Sequence, residues 1–411
     1  MVTGYLIMML YEVHGKPGLE EYRPIAGSES PLRLDTASCL PARSTHSNCA
    51  ACADACPVSA LQVSERGPVL TGDCLGCGRC AAACPTDALQ VQGFPALPLP
   101  GQPAPSVTRL ECWRVPEAPL RSGTLHVPCL GGLDASRMLT LHRLAGPSGI
   151  TLVDRGWCQD CPAHGCGTGH PADRALETAN HILGETGVPD ADLPRFSLEP
   201  LSEGMASRDL PGRDLQARTG RRDFFRRLGG HAATVHGARE DNVGTDPAAR
   251  VLVGKHVPSR RRRLAAELVA ATGSATTPAA VPLLSVNGDC DGHGVCAAVC
   301  PTGALVRDRG DTTSRLHLDA SACIACGLCQ AHCPEQAIRV VADSGGQPTA
   351  ELNRMEQREC DDCGRNFTAR HAHENTCHPC RKSRRFAAAG FAFLTRGGPV
   401  VTDQNHGGKS G

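Results

Sequence analysis

Residues 74–85 read Cys74-Leu-Gly-Cys77-Gly-Arg-Cys80-Ala-Ala-Ala-Cys84-Pro85. Residues 323–334 repeat the spacing as Cys323-Ile-Ala-Cys326-Gly-Leu-Cys329-Gln-Ala-His-Cys333-Pro334. Both are C-x2-C-x2-C-x3-C-P runs. The closing phrase occurs in four places: Cys56-Pro-Val-Ser-Ala-Leu, Cys84-Pro-Thr-Asp-Ala-Leu, Cys300-Pro-Thr-Gly-Ala-Leu and Cys333-Pro-Glu-Gln-Ala-Ile. A repeat this regular predicts two copies of one two-part module, over residues 31–93 and 281–343.

The composition explains why such modules need more than an apolar core. Phe, Tyr and Trp make up 3% of the 411 residues, against 45 Gly and 31 Pro. That mixture suits several small, loop-rich units held by metal or disulfide staples. The chain has 24 cysteines to serve as staples. They stand in close groups, and in a reducing compartment grouped thiols bind metal more often than they pair. Met1–Gly15 has an apolar patch, Tyr5–Leu10, but no basic start and no small-residue cleavage site, so it does not read as a signal peptide. No run of ~18 apolar residues is present to span a bilayer, and the expected location is the cytoplasm. The 42 basic and 42 acidic side chains cancel, which argues against a general polyanion-binding surface.

A C-x2-C-x2-C loop wraps three soft thiolates around tetrahedral iron, and the fourth Cys, beside Pro, reaches a second cluster. On these residues the chain resembles the bacterial two-cluster (4Fe-4S) ferredoxin family, twice over. The resemblance implies a ferredoxin-like fold, electron transfer and crossed ligation. In the first module Cys39, Cys49, Cys52 and Cys84 would hold one 4Fe-4S cluster, and Cys56, Cys74, Cys77 and Cys80 the other. His46 stands where the first thiol should be; Cys39 is expected to loop back instead, because thiolate suits iron–sulfur better than imidazole. In the second module Cys300, Cys323, Cys326 and Cys329 would form one 4Fe-4S site. The other has Cys290, Cys296 and Cys333, with His293 at the second thiol position. Its corner is either open, giving a 3Fe-4S cluster, or closed by His293, giving a 4Fe-4S cluster; both raise the potential. Separate zinc sites are the alternative reading of these thiols.

Residues 94–106 form a Pro-rich, extended spacer. Within 107–184, three β-like runs, Val107–Glu111, Thr124–Pro128 and Ile150–Asp154, lead to Cys112, Cys129 and Cys158. Asp134–Ala145 has helical spacing with Asp134 as N-cap, and Ala172–Leu183 reads as a second helix. Alternating strands and helices predict a small parallel α/β sheet, with ligands at the carboxyl ends of its strands. Cys161 and Cys166 follow in a loop. Cys112-Trp113 and Cys129-Leu-Gly-Gly-Leu-Asp134, with the helix, strand and Cys-rich loop after them, resemble the delta iron–sulfur subunit of methylviologen-reducing hydrogenases. That resemblance implies a 2Fe-2S cluster among Cys112, Cys129, Cys158, Cys161 and Cys166. A structural zinc or a reactive Cys158/Cys161 dithiol is the alternative.

Residues 1–30 read as an N-terminal extension and 185–280 as a basic, partly helical linker. The linker carries Arg221–Leu228, which looks like a twin-arginine signal placed far from an N-terminus and is better read as a docking helix. Arg260–Ala271 reads as an exposed helix. Within 355–385, Cys360-x2-Cys363 and Cys377-x2-Cys380 read as a zinc ribbon, with a rubredoxin-like iron as the alternative. Residues 386–411 are expected to be a disordered tail.

The expected fold class is α+β multidomain: two ferredoxin-like dicluster modules, a small parallel-sheet domain between them and a C-terminal zinc ribbon. The expected cofactors are three or four 4Fe-4S clusters, a 3Fe-4S cluster if the His293 corner is open, a 2Fe-2S cluster and zinc. The function read from this is an electron carrier or subunit with no catalytic residue of its own. Its partners would be other electron-transfer subunits or a redox enzyme of the hydrogenase, formate dehydrogenase or heterodisulfide reductase kind, with neither membrane span nor nucleic acid. Two alternatives remain: a redox-sensing regulator that binds nucleic acid through the zinc ribbon, and a catalytic oxidoreductase. No dinucleotide fingerprint, P-loop or Cys-x3-Cys-x2-Cys triad supports catalysis; Ser59, Asp87, Gly303 and Gln336 stand where a third radical-site thiol would fall.

Overall fold

A computed structural model of the chain describes residues 23–24, 31–116, 121–165, 169–201, 207, 254–275, 282–341, 349–369 and 373–395. Cys166, Arg221–Leu228 and the 396–411 part of the expected tail lie outside the described residues.

The first module runs β1 (Arg23–Pro24), β2 (Leu32–Leu34), α1 (Leu40–Arg43), α2 (Ala51–Asp54), β3 (Leu61–Ser64), β4 (Gly67–Leu70), α3 (Arg79–Ala83) and β5 (Leu89–Val91). β1, β2 and β5 form one antiparallel sheet, and β3 and β4 a hairpin. The module therefore begins inside the stretch read as an N-terminal extension. Pro24 is tolerated there because β1 is an edge strand. The helices are short for a local reason. Gly78, left-handed at φ 81°, turns the chain into α3, and Cys84 leaves it extended at ψ 116° because Pro85 excludes a helical residue before it.

The middle unit contains β6 (Arg109–Cys112), β7 (Thr124–Val127), α4 (Ala135–Ala145), β8 (Thr151–Asp154), α5 (Asp173–Glu185) and β9 (Arg195–Leu198). All four strands are parallel, in the order β7-β6-β8-β9. Leu110, Val127, Met138, Leu141, Ile150 and Leu152 form the core beneath the helices. β9 extends this unit beyond residue 184, into the expected linker. Arg195 and Leu198 at its ends are exposed and Phe196 and Ser197 half-buried, so pairing with β8 rather than burial makes it a strand.

α6 (Ser259–Thr272) is helical as the sequence indicates, yet it is not a solvated helix. Glu267 and Leu268 are buried, Leu268 against Leu139, Ile182 and Leu183 of the middle unit. The second module follows as β10 (Leu283–Val286), α7 (Val295–Val299), β11 (Leu305–Arg309), β12 (Thr313–Asp319), α8 (Leu328–Ala331) and β13 (Ile338–Val341). Gly294 and Gly327, at φ 79° and 73°, start α7 and α8 as Gly78 starts α3.

The C-terminal cysteines are carried by β14 (Thr349–Glu359), β15 (Asn366–Ala369) and α9 (His378–Thr395). β14 pairs with both β12 and β15, so this unit starts before residue 355 and continues the second module's sheet. α9 runs through residues 386–395, correcting the expected tail there. Phe386-Ala-Ala-Ala is good helix sequence, and no proline interrupts it before Pro399.

Candidate metal centres

Cys39, Cys49, Cys52 and Cys84 line one cavity of about 340 Å³ (site 1). Cys39 is the N-cap of α1, which brings it back toward Cys49 and Cys52. His46 is elsewhere: its ring lies against that of His332, with centroids 4.4 Å apart. Cys77, Cys74 and Cys56 of the expected second cluster (site 2) are electrostatic neighbours of Cys80, and so is Cys52 of site 1. Cys300, Cys323, Cys326 and Cys329 line a cavity of about 330 Å³ (site 4). Cys290, His293, Cys296 and Cys333 line one of about 440 Å³ (site 3). The His293 ring has both nitrogens engaged. Nδ1 accepts the Val295 amide at 3.1 Å, which leaves the proton on Nε2, 2.6 Å from a Glu335 oxygen.

A shared backbone device sets the Cys-Pro thiols. Three residues beyond each of them stand Ser59, Asp87, Gly303 and Gln336, at φ 50°, 55°, 76° and 51°. This left-handed turn swings the next amide back: Ala60 N–H donates to Cys56 Sγ at 3.2 Å and Ala337 N–H to Cys333 Sγ at 3.3 Å. Such bonds hold a thiolate in place and lower the charge that it exposes to a bound cluster.

Burial works the other way on the free thiols. It pushes Cys39 and Cys77 up to about 11, Cys52 and Cys329 up to about 12, and Cys80 well above its ordinary value. Without metal these thiols keep their protons, so metal entry must release them.

The middle unit gathers Cys112, Cys129, Cys158 and Cys161 around a cavity of about 340 Å³, as large as that of site 1. Cys112 ends β6, Cys129 follows β7 and Cys158 follows β8, so three of these thiols sit at carboxyl ends of parallel strands. Burial and then the Asp154 carboxylate push Cys158 up. Sequence reading missed His170, which lines the same cavity. Its Nδ1 accepts the Ala172 amide at 3.1 Å, so Nε2 carries the proton. That buried Nε2 has no hydrogen-bond partner among the described residues. No spacing rule ties His170 to the thiols; the fold brings it there.

Thiol separation distinguishes two kinds of site. Cys360, Cys363, Cys377 and Cys380 all lie within 4.8 Å of one another, with Cys363 and Cys377 sulfurs 3.8 Å apart. A tetrahedral ion with ~2.3 Å bonds to sulfur requires sulfurs ~3.8 Å apart. The amides of Cys377, Cys363 and Asp362 donate to Cys360 and hold its thiol below its ordinary value, while hydrogen bonds with Cys377, Cys363 and Cys360 push Cys380 up. Among the described residues, no three thiols of the other cavities approach one another so closely. Mixed groups do reach that spacing: Asp154, Cys158 and His170 at the middle cavity, and His293, Cys333 and Glu335 at site 3.

Two stretches of the chain match known proteins. Residues 47–93 and 288–337 each match the family described as the 4Fe-4S dicluster domain. Over 73 residues the chain is 36% identical to the electron transport protein HydN of Escherichia coli (strain K12), and equally to HydN of two other Escherichia coli strains. Each match covers 16% of this chain and 39% of the relative. The chain thus carries two 4Fe-4S dicluster domains, one on either side of the Cys-rich parallel-sheet unit.

Proposed function

We propose that the protein relays electrons between a donor and a larger redox enzyme, and itself transforms no substrate. The carrying observation is the convergence of widely spaced, buried thiols in cavities inside and beside two 4Fe-4S dicluster domains. Clusters bound there would supply one-electron chemistry. The chain supplies thiolate ligands, amide bonds to their sulfurs and burial, which together tune potential. Sites 1, 2 and 4, each with four thiols, would take 4Fe-4S clusters. Site 3 has three thiols, and the engaged nitrogens of His293 support a 3Fe-4S cluster there. The middle cavity would hold the 2Fe-2S cluster, or a cubane on the four thiols that line it. The C-terminal thiols would hold zinc.

The regulator reading loses support from the C-terminal basic run. Arg381 pairs with Glu374 and Arg384 with Asp362, while Lys382 Nζ lies 5.8 Å from the Phe386 ring centroid. Electron-transfer partners fit better than nucleic acid. No described helix is long and apolar enough to cross a membrane.

Metal and sulfide analysis of anaerobically purified protein tests the reading. The two modules should bring roughly 15 irons, rising to roughly 17 with a 2Fe-2S middle site or roughly 19 with a cubane there, beside one zinc. A count of about four irons or fewer would overturn it.

A further inference from the structure

The two dicluster domains are far apart in sequence, yet their cysteine sites meet. Ser44, which caps the end of α1 beside site 1, has its Oγ 3.4 Å from Nε2 of His332 in the second module. The His46 and His332 rings lie against each other at the same join. Arg43, the last residue of α1, is within electrostatic reach of Cys300 and Cys326 of site 4.

α6 fastens this join with two consecutive side chains. The Arg260 amide donates to Asp87 at 2.8 Å, and its guanidinium donates to Ala82 O and Ala81 O, each at 2.6 Å, beside Cys84 of site 1. Arg261 instead donates to Ser321 O at 3.1 Å and Ala320 O at 2.9 Å, just before Cys323 of site 4.

A second contact ties the middle unit to site 2. Cys77 of site 2 packs with Cys129 and Cys161 of the middle site, and with Leu75 and Ala163, in one apolar cluster. Arg79, which opens α3, donates to Ala163 O at 2.9 Å and His164 O at 2.7 Å. The close approach needs Gly132, where a Cβ would come within 2.5 Å of the Cys77 carbonyl oxygen. Within each module the paired sites share a core: Cys52, Cys56, Cys80 and Cys84 in the first, Cys296, Cys300, Cys329 and Cys333 in the second.

Resting on the relay reading, we propose that the five sites form a single file: site 3, site 4, site 1, site 2, middle site, with Arg260 and Arg261 as positioning residues that hold site 4 to site 1. Electron tunnelling falls off exponentially with distance, so each site exchanges electrons with its immediate neighbours. Donor and acceptor then engage opposite ends, one at the middle unit and one at site 3.

EPR of the full-length, dithionite-reduced protein tests this order, because neighbouring paramagnets broaden each other. Cysteine pairs are removed site by site: Cys290→Ala with Cys296→Ala, Cys323→Ala with Cys326→Ala, and Cys112→Ala with Cys129→Ala. Deleting an end site should sharpen one remaining signal, that of site 4 or site 2 respectively. Deleting site 4 should sharpen two, that of site 1 in conventional EPR and that of site 3 in parallel-mode EPR, where a reduced, integer-spin 3Fe-4S cluster is visible. Arg260→Met with Arg261→Met should leave the iron content unchanged and still sharpen sites 1 and 4, which keeps the proposal testable if a cysteine variant fails to fold. If deleting site 4 sharpens site 3 alone, or if the arginine pair leaves the spectrum unchanged, the single file is overturned. Failure of the wild-type protein to hold clusters would instead overturn the relay reading.

Discussion

Glu111 has no exposed surface, in a strand whose other core residue is Leu110. Its carboxylate accepts from Arg155 Nε at 3.0 Å and Nη2 at 2.7 Å, and Arg155 also donates to Glu199 O at 2.8 Å. Removing one partner of a buried pair leaves the other charge uncompensated. Glu111→Gln should therefore lower stability by ~3–5 kcal/mol, measured by anaerobic urea unfolding. A loss below ~1 kcal/mol would show the pair to be as weak as an exposed one. Cys84 tests ligation. It belongs in the cavity of Cys39, Cys49 and Cys52, although in sequence it follows Cys74, Cys77 and Cys80. Cys84→Ala should disturb the site 1 signal and spare that of site 2; the reverse outcome would refute crossed ligation.

Among the elements, α4 shows how a local signal acquires a tertiary role. Asp134 caps it by accepting the Arg137 amide at 3.2 Å and the Ser136 hydroxyl at 2.5 Å. Burial alone would raise its carboxyl; Arg260 of α6, Ser136 and Arg137 outweigh burial and hold it below its ordinary value. A depressed carboxyl stabilises the fold fully above the unfolded value of ~3.9, and that contribution disappears as pH falls through the lower folded value. Asp134→Ala should cost ~1 kcal/mol near neutral pH, with the difference from wild type shrinking below pH ~4 in paired denaturation curves. The capped helix over 135–145 was legible from Asp134 and the Met138-Leu141-Leu144 spacing. α6 was legible as a helix but not as a clamp. A run of Arg260–Arg263 looks the same whether water or carbonyl oxygens receive its protons, and Ala81, Ala82, Ala320 and Ser321 are remote in sequence.

At the scale of the molecule, the units are less separable than their cysteine groups imply. Asn353 and Met355 of β14 line the site 3 cavity, so the strand leading to the C-terminal thiols also forms a wall of site 3. Cys363→Ser with Cys377→Ser should remove one zinc, raise hydrogen exchange along β14 and β15, and shift the site 3 EPR signal while leaving sites 1 and 2 unchanged. An unaltered site 3 signal would make the C-terminal unit independent. What the sequence alone determined were the local features: the repeated Cys-Pro phrases, the positions of the thiols and the cap at Asp134. Ligand spacing and backbone geometry act over a few residues, so they are written in order along the chain. The tertiary structure decided the fourth parallel strand, His170 at the middle cavity, the wide or close spacing of each thiol set, and the meeting of site 1 with site 4. These depend on segments remote in sequence packing together, and burial and hydrogen bonding reward such contacts whatever the sequence distance between them.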